Sequence, residues 1–265
     1  MNKYLDIVNH RSLNISVLCI AVTYFCLRYN FSYDVDLIIF SIAIIFPLVF
    51  TIREAFRRRQ NAIRLLSKLK ASISAFYFSL ENSNKLTAEE KQQVHVMMNA
   101  LSETFIDGLM DRQNASIPKV REEVRELYHF VDTNRNSISG NASLKLIRLI
   151  QDIQECIENL NGIKIHGTPV SLRAYCLIFI YILPFIFTPT LVFNLSNHPS
   201  WIIYALSVLH GFILISLYNL QDHIEDPFDQ MGLDDIKLVE FKFKEQLDES
   251  LVQEAVAETA ADAKS

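Results

Sequence analysis

Few residues in this chain have the types and spacing that chemistry requires. Glu126 and His129 form one ExxH pair, the unit of carboxylate-bridged di-iron bundles. Such a site takes two ExxH pairs and two further glutamates on facing helices, and one pair is present. Asp222, His223, Glu225 and Asp226 crowd together and offer two chemistries: a metal site, or a salt-bridged junction with a basic segment. His210 lies inside a long uncharged run, where an ionisable side chain is either a functional group or a neutral ring bonded to another helix. No glycine-rich phosphate loop, nucleophile elbow or Ser/His/Asp grouping stands out, so the chain reads as a non-enzyme with no cofactor and no metal. The last grouping is apolar. Ile42, Phe46 and Phe50 recur at i, i+4 and i+8, which puts three bulky side chains in one slanting line on a helix face. That line suits packing against a neighbouring helix, or a hydrophobic constriction that closes by dewetting.

The elements that must hold these groups are helical and largely apolar. Of 265 residues, 50% are hydrophobic and 21% charged, too apolar for an ordinary soluble protein and too charged for one lying wholly in lipid. The net charge of −5 averages a basic segment and an acidic C-terminal end, and gives no reason to expect nucleic acid as a partner. Cys19, Cys26, Cys156 and Cys176 lack metal or CxxC spacing and read as small buried hydrophobes.

Four stretches read as membrane spans. Residues 12–27 are uncharged and end at Arg28 among Tyr24, Tyr29, Phe31 and Tyr33, an interfacial aromatic cluster; no small-residue cleavage site follows, so a retained span is expected rather than a signal peptide. Residues 37–52 rise about 24 Å as a helix, nearly the hydrocarbon thickness, and run without a glycine into a basic segment holding Arg53, Arg57, Arg58, Arg59, Arg64, Lys68 and Lys70. That flank marks the cytoplasmic side. Between Arg173 and Asp222 there is no Asp, Glu, Lys or Arg, and a polar turn over 194–200 divides the run into a hairpin of two spans, 174–193 and 201–220. Pro184 and Pro189 predict a kink or local unwinding there. Four spans put both termini in the cytoplasm of a protein integral to the cell membrane, plasma or inner.

Between the span pairs the pattern is that of a helical layer. Thr87 and Glu90 form a capping box ahead of Val94, Met98, Leu101, Phe105 and Leu109. Pro118 opens a second helix, and residues 144–160 a third with Leu146, Ile150, Ile153 and Ile157 on one stripe. The expected domains are 1–53 with spans 1 and 2, 54–170 as a helical cytosolic domain, 171–222 with spans 3 and 4, 223–247 as a cytosolic segment and helix, and 248–265 as a flexible tail.

The order of these parts resembles the bestrophin family of ion channels, particularly its bacterial members. The likeness covers about residues 10–247. It is carried by a Thr-Pro-Val turn at Thr168, Pro169 and Val170, by a hairpin that begins Ser171, Leu172, Arg173, Ala174, Tyr175 and contains Leu183, Pro184 and Phe185, and most specifically by Ile224, Glu225, Asp226, Pro227 and Phe228 after the fourth span. The resemblance implies an all-α, four-span membrane protein that assembles as a pentamer around one pore, with Ile42, Phe46 and Phe50 as the pore neck and Val170 at the cytosolic aperture. It implies permeating ions as partners, chloride or other small anions with cations as the alternative, and contact with membrane lipid. Three features depart from the family: Val49 replaces a glycine before the last neck residue, Arg59 and Gln60 replace an aromatic pair, and Asp229 is separated from Asp234 and Asp235, so calcium gating by a contiguous acidic clasp is not expected. The rival classes are a non-conducting membrane scaffold and a metal-dependent membrane enzyme.

Overall fold

The structure, a computed structural model, describes residues 9–111, 116–230 and 235–244. Seven α-helices and one short 3-10 helix make up its regular elements, with no strand among the described residues. They are α1 (His10–Arg28), α2 (Leu37–Glu81), α3 (Ala88–Met110), α4 (Ile117–Thr133), α5 (Gly140–Ile165), α6 (Val170–Asn194), α7 (Ser200–Glu225) and the 3-10 turn Leu238–Phe241. Helices α1, α2, α6 and α7 carry stretches long and apolar enough to cross a membrane, so this is an all-α membrane protein with four spanning segments.

The described residues divide into two compact units. The first comprises those of Met1–Arg59, Gly167–Pro227 and Met231–Asp235; the second comprises those of Gln60–His166, Phe228–Gln230 and Ile236–Ser265. In the first unit, Ile15 and Cys19 of α1, Ile44 and Leu48 of α2, Cys176, Ile180 and Leu183 of α6, and Leu214, Ile215 and Tyr218 of α7 form one core. Close approach of α1 and α7 depends on Gly211, where a Cβ would meet Cys19 Sγ at 2.7 Å and Ile15 Cγ1 at 3.3 Å. Small residues do this work in membranes, where lipid is as apolar as leucine and packing has to supply the cohesion.

In the second unit the stripes read from spacing do become core: Val94, Met98, Leu101, Phe105 and Leu109 of α3 and Leu146, Ile150, Ile153 and Ile157 of α5 pack together with Leu66 and Phe76 of α2 and Leu127 of α4. Thr87 and Glu90 make both hydrogen bonds of the capping box, at 3.3 and 2.8 Å. Pro118 sits in the first turn of α4. Helix α5 begins earlier than the apolar pattern, because Ser139 accepts from Ala142 N and caps a turn that includes Gly140 and Asn141.

Two sequence expectations fail. The segment after the fourth span carries only the 3-10 turn among residues 235–244, not an α-helix, since Ile236, Leu238 and Phe243 all bury, which an irregular segment achieves by draping. Of the kink or local unwinding expected at Pro184 and Pro189, the unwinding does not occur: α6 stays helical over its 25 residues. The expected tail over 248–265 and Asp234 lie outside the described residues.

Candidate functional site

Where a proline enters a membrane helix, the carbonyl four residues earlier loses its helical donor, and in lipid something else must supply one. Tyrosines supply two of them in the first unit. Pro47 in α2 releases the carbonyl of Ala43, and Tyr175 Oη of α6 donates to it at 3.3 Å. Pro189 in α6 releases the carbonyl of Phe185, and Tyr33 Oη donates to that at 3.0 Å. The first bond ties the apolar stretch of α2 to α6, and the second ties the segment between α1 and α2 to α6 and satisfies the carbonyl that Pro189 frees.

At the polar end of the same unit the structure builds a hub around one carboxylate. Glu225 is 8% exposed and ends α7. Its Oε1 accepts from Thr168 N at 2.5 Å and pairs with Arg58 Nη1 at 3.1 Å. Its Oε2 accepts from Thr168 Oγ1 at 2.9 Å and Gln221 Nε2 at 2.7 Å, with Arg173 Nη1 at 3.7 Å. A Cβ at residue 167 would come within 2.8 Å of Oε1, so Gly167 is what admits the carboxylate to the turn before α6. Beside it Asp222 binds Arg11 at 2.9 Å and Arg173 at 3.6 Å. So two of the acids expected around residues 222–226, Asp222 and Glu225, are met by arginines from α1, α2 and α6, as in a salt-bridged junction, and His223 is exposed. The hub clamps Thr168, two residues from Val170, to α2 and α7. Val170 opens α6 and is 77% exposed.

On α2, the face turned away from this packing carries the apolar line. Ile42, Phe46 and Phe50 are 49, 56 and 56% exposed, whereas Ile44, Leu48 and Thr51 are 3, 1 and 0% exposed. The rings of Phe46 and Phe50 lie 6.1 Å apart. The row is therefore about half exposed within this chain, which answers one question left open by its spacing: it is not part of the chain's own buried core.

The remaining candidates are dispersed. Ile224 is buried in the first unit, Asp226 is exposed, Pro227 closes the segment, and Phe228 is 1% exposed in the core of the second unit. His210 stacks on Phe187 with centroids 4.2 Å apart and planes 9° from parallel, an aromatic contact in place of the expected hydrogen bond. Glu126 and His129 line an open cleft of about 500 Å³ with Glu90. His129 Nδ1 lies 3.1 Å from Thr133 Oγ1, and Glu90 is committed to its capping box.

Neither a family model nor a curated protein matches the chain. Solved structures do. The crystal structure of a bacterial bestrophin homologue from Klebsiella pneumoniae, 15% identical, covers 94% of this chain and 97% of its own length with a TM-score of 0.71. The chain has the bestrophin fold. Two single-substitution variants of the Klebsiella homologue repeat the match, at 16% identity with a TM-score of 0.70 over 87% of this chain and 92% of that one, and at 14% with 0.68 over 97 and 100%. At these identities the shared property is the bestrophin fold, and the hub at Glu225 and the free row on α2 are features of this chain's own residues.

The hub was only half visible in the sequence. Spacing flagged the acids of 222–226 and the basic run, but nothing local singled out Arg58 from its neighbours or joined Thr168 to Glu225. The tyrosine bonds had one signal, a proline inside each helix whose freed carbonyl needs a donor.

Proposed function

We propose that this protein is a gated ion channel of the bestrophin type, a channel and not an enzyme, that assembles as a homopentamer around one pore in the cell membrane, plasma or inner, with both termini in the cytoplasm. The observation that carries the reading is the row Ile42, Phe46 and Phe50: three large apolar side chains in line, each about half exposed, on a helix whose other face is packed. Five copies facing an axis make a neck too narrow and too apolar to hold water. An ion would have to shed hydration there without replacement donors, at a cost of several kcal/mol or more. Slight rotation or widening of α2 rewets the ring and opens it.

Support comes from three directions. Helical spacing and the positional resemblance to bestrophins select the same three residues. The fold is that of bestrophin homologues. Val170, the aperture residue in this reading, is the most exposed of the large hydrophobics among the described residues and begins α6. The permeating ions are chloride or other small anions, favoured by the basic residues that follow the neck, and membrane lipid covers the outer faces of the spans.

Ion flux into liposomes tests this. The purified protein runs as a pentamer in detergent and conducts with gating, and the triple variant Ile42→Ala, Phe46→Ala, Phe50→Ala conducts at least tenfold more in the closed condition. A monomer that passes no ion in either form ends the proposal.

A further inference from the structure

The arginines after the neck divide into two kinds. Arg58 is structural, its side chain 13% exposed and paired with Glu225. Arg53 and Arg57 belong elsewhere. Counting three and seven residues on from Phe50 along an unbroken helix returns to the same face, so these two continue the line Ile42, Phe46, Phe50. Both are exposed, while Ala55 between them is 0% exposed on the opposite side. At 1.5 Å per residue they lie about 4.5 and about 10.5 Å beyond Phe50 along the helix. Among the described residues Arg53 has no ion-pair partner, and Arg57, 79% exposed, reaches only Glu54 at 3.9 Å. A positive-inside flank alone requires basic residues near the membrane but not two of them in register with the apolar row.

We propose that Arg53 and Arg57 are the residues that select charge in this protein, forming two stacked basic rings directly below the neck that admit anions and turn cations away. The inference rests on the channel reading above and deepens it by naming what sets the sign of the permeating ion. A guanidinium stays charged throughout the physiological pH range, so the preference does not titrate. Five unit charges at about 8 Å from an axis, in water and screened by physiological salt, enrich anions there roughly fivefold and deplete cations by about the same factor. An uncompensated ring, as Arg53 forms, thus sorts ions by about 25-fold before they meet the neck, and the Arg57 ring, each guanidinium 3.9 Å from a Glu54 carboxylate, sorts them less.

The same chemistry, guanidinium for a small anion or for an anionic headgroup, has two sources, and the experiment separates them. Reversal potentials are measured for the full-length protein in liposomes under asymmetric NaCl, with neutral and with partly anionic lipid. Wild type prefers chloride over sodium by tenfold or more; Arg53→Gln with Arg57→Gln brings the ratio to within about threefold of unity; Arg53→Glu with Arg57→Glu inverts it; and Arg53→Lys with Arg57→Lys restores the wild-type ratio. Elution volume confirms that each variant remains assembled, and single substitutions serve where a double one does not. An unchanged ratio in the glutamine variant, with a changed dependence on anionic lipid, assigns the arginines to headgroups and overturns the proposal. A conducting wild type that prefers sodium also overturns it while leaving the channel reading intact. Absence of any flux from wild type is the separate result that removes the channel reading itself.

Discussion

Helix α2 contains two rows of bulky apolar residues at helical spacing, one in its uncharged N-terminal stretch and one beyond the basic segment. In its C-terminal half Leu66, Ile73, Phe76 and Leu80 are 0, 2, 0 and 1% exposed, covered by α3 to α5. In its N-terminal half Phe46 and Phe50 are 56% exposed. Residue type and helical phase are alike, and what differs is who covers the row. Folding of one chain accounts for the first row completely and leaves the second uncovered. A row of large apolar groups that one chain leaves half exposed must face lipid, a second subunit or a pore, and the channel proposed above has it face the pore.

The sharpest way to break this comparison is to make the same change in each row. Phe76→Ala opens a cavity in a packed core and is expected to cost about 3 to 5 kcal/mol. It shows as a large fall in the unfolding midpoint. Phe46→Ala removes a ring that this chain does not cover, and should cost less than about 1 kcal/mol while raising flux. Equal destabilisation by both would mean that Phe46 is packed against another body, and the two rows would then be one kind of surface.

Arg58 sharpens the contrast from between the rows, since it shares a helix with Arg53 and Arg57 and its side chain is 13% exposed where theirs are open to solvent. Glu225→Gln removes the carboxylate charge that Arg58 meets at 3.1 Å and should cost about 2 to 3 kcal/mol, read as thermal unfolding in detergent. Adding Arg58→Met recovers part of the loss, because the buried charge goes too. Applied to Arg57, 79% exposed and 3.9 Å from Glu54, the matching pair of changes moves the midpoint little. A Glu225→Gln protein as stable as wild type would deny that Thr168 and Val170 are held by this carboxylate.

These cases also mark what the sequence made legible. Four spans, the capping box at Thr87 and the stripes of α3 to α5 follow from charge-free length and 3.6-residue spacing, which are local properties, and the structure has them. Spacing located the Ile42, Phe46, Phe50 row but not its exposure, because periodicity specifies a face and not its neighbour. Tyr175 with Ala43 and Tyr33 with Phe185 are contacts across 132 and 152 residues, beyond any local pattern. At Pro189 the lost donor is replaced by such a contact, a hydroxyl from elsewhere in the chain. Residues 235–244 looked helical by composition, yet burying Leu238 and Phe243 decided their course.

The smallest expected effect lies on the outside of the covered row's bundle, where α4 and α5 are joined by Arg121 and Glu158. Arg121 Nε and Nη2 meet the two carboxylate oxygens at 2.8 and 2.9 Å. The guanidinium bond, more than the opposing desolvation, holds the Glu158 carboxyl below its ordinary value of 4.5. A carboxylate more acidic in the folded than in the unfolded state binds fewer protons there, so its contribution is complete above about pH 5 and fades as pH falls through the folded value. With both partners solvent-accessible, screening keeps the contribution slight. Unfolding midpoints taken from pH 7 down to pH 4 should therefore fall a little more steeply for wild type than for Arg121→Met, the two curves converging at the acid end. Parallel curves would show that this pair orders the helix surface without stabilising it, and that the covered row alone holds α4 and α5 together.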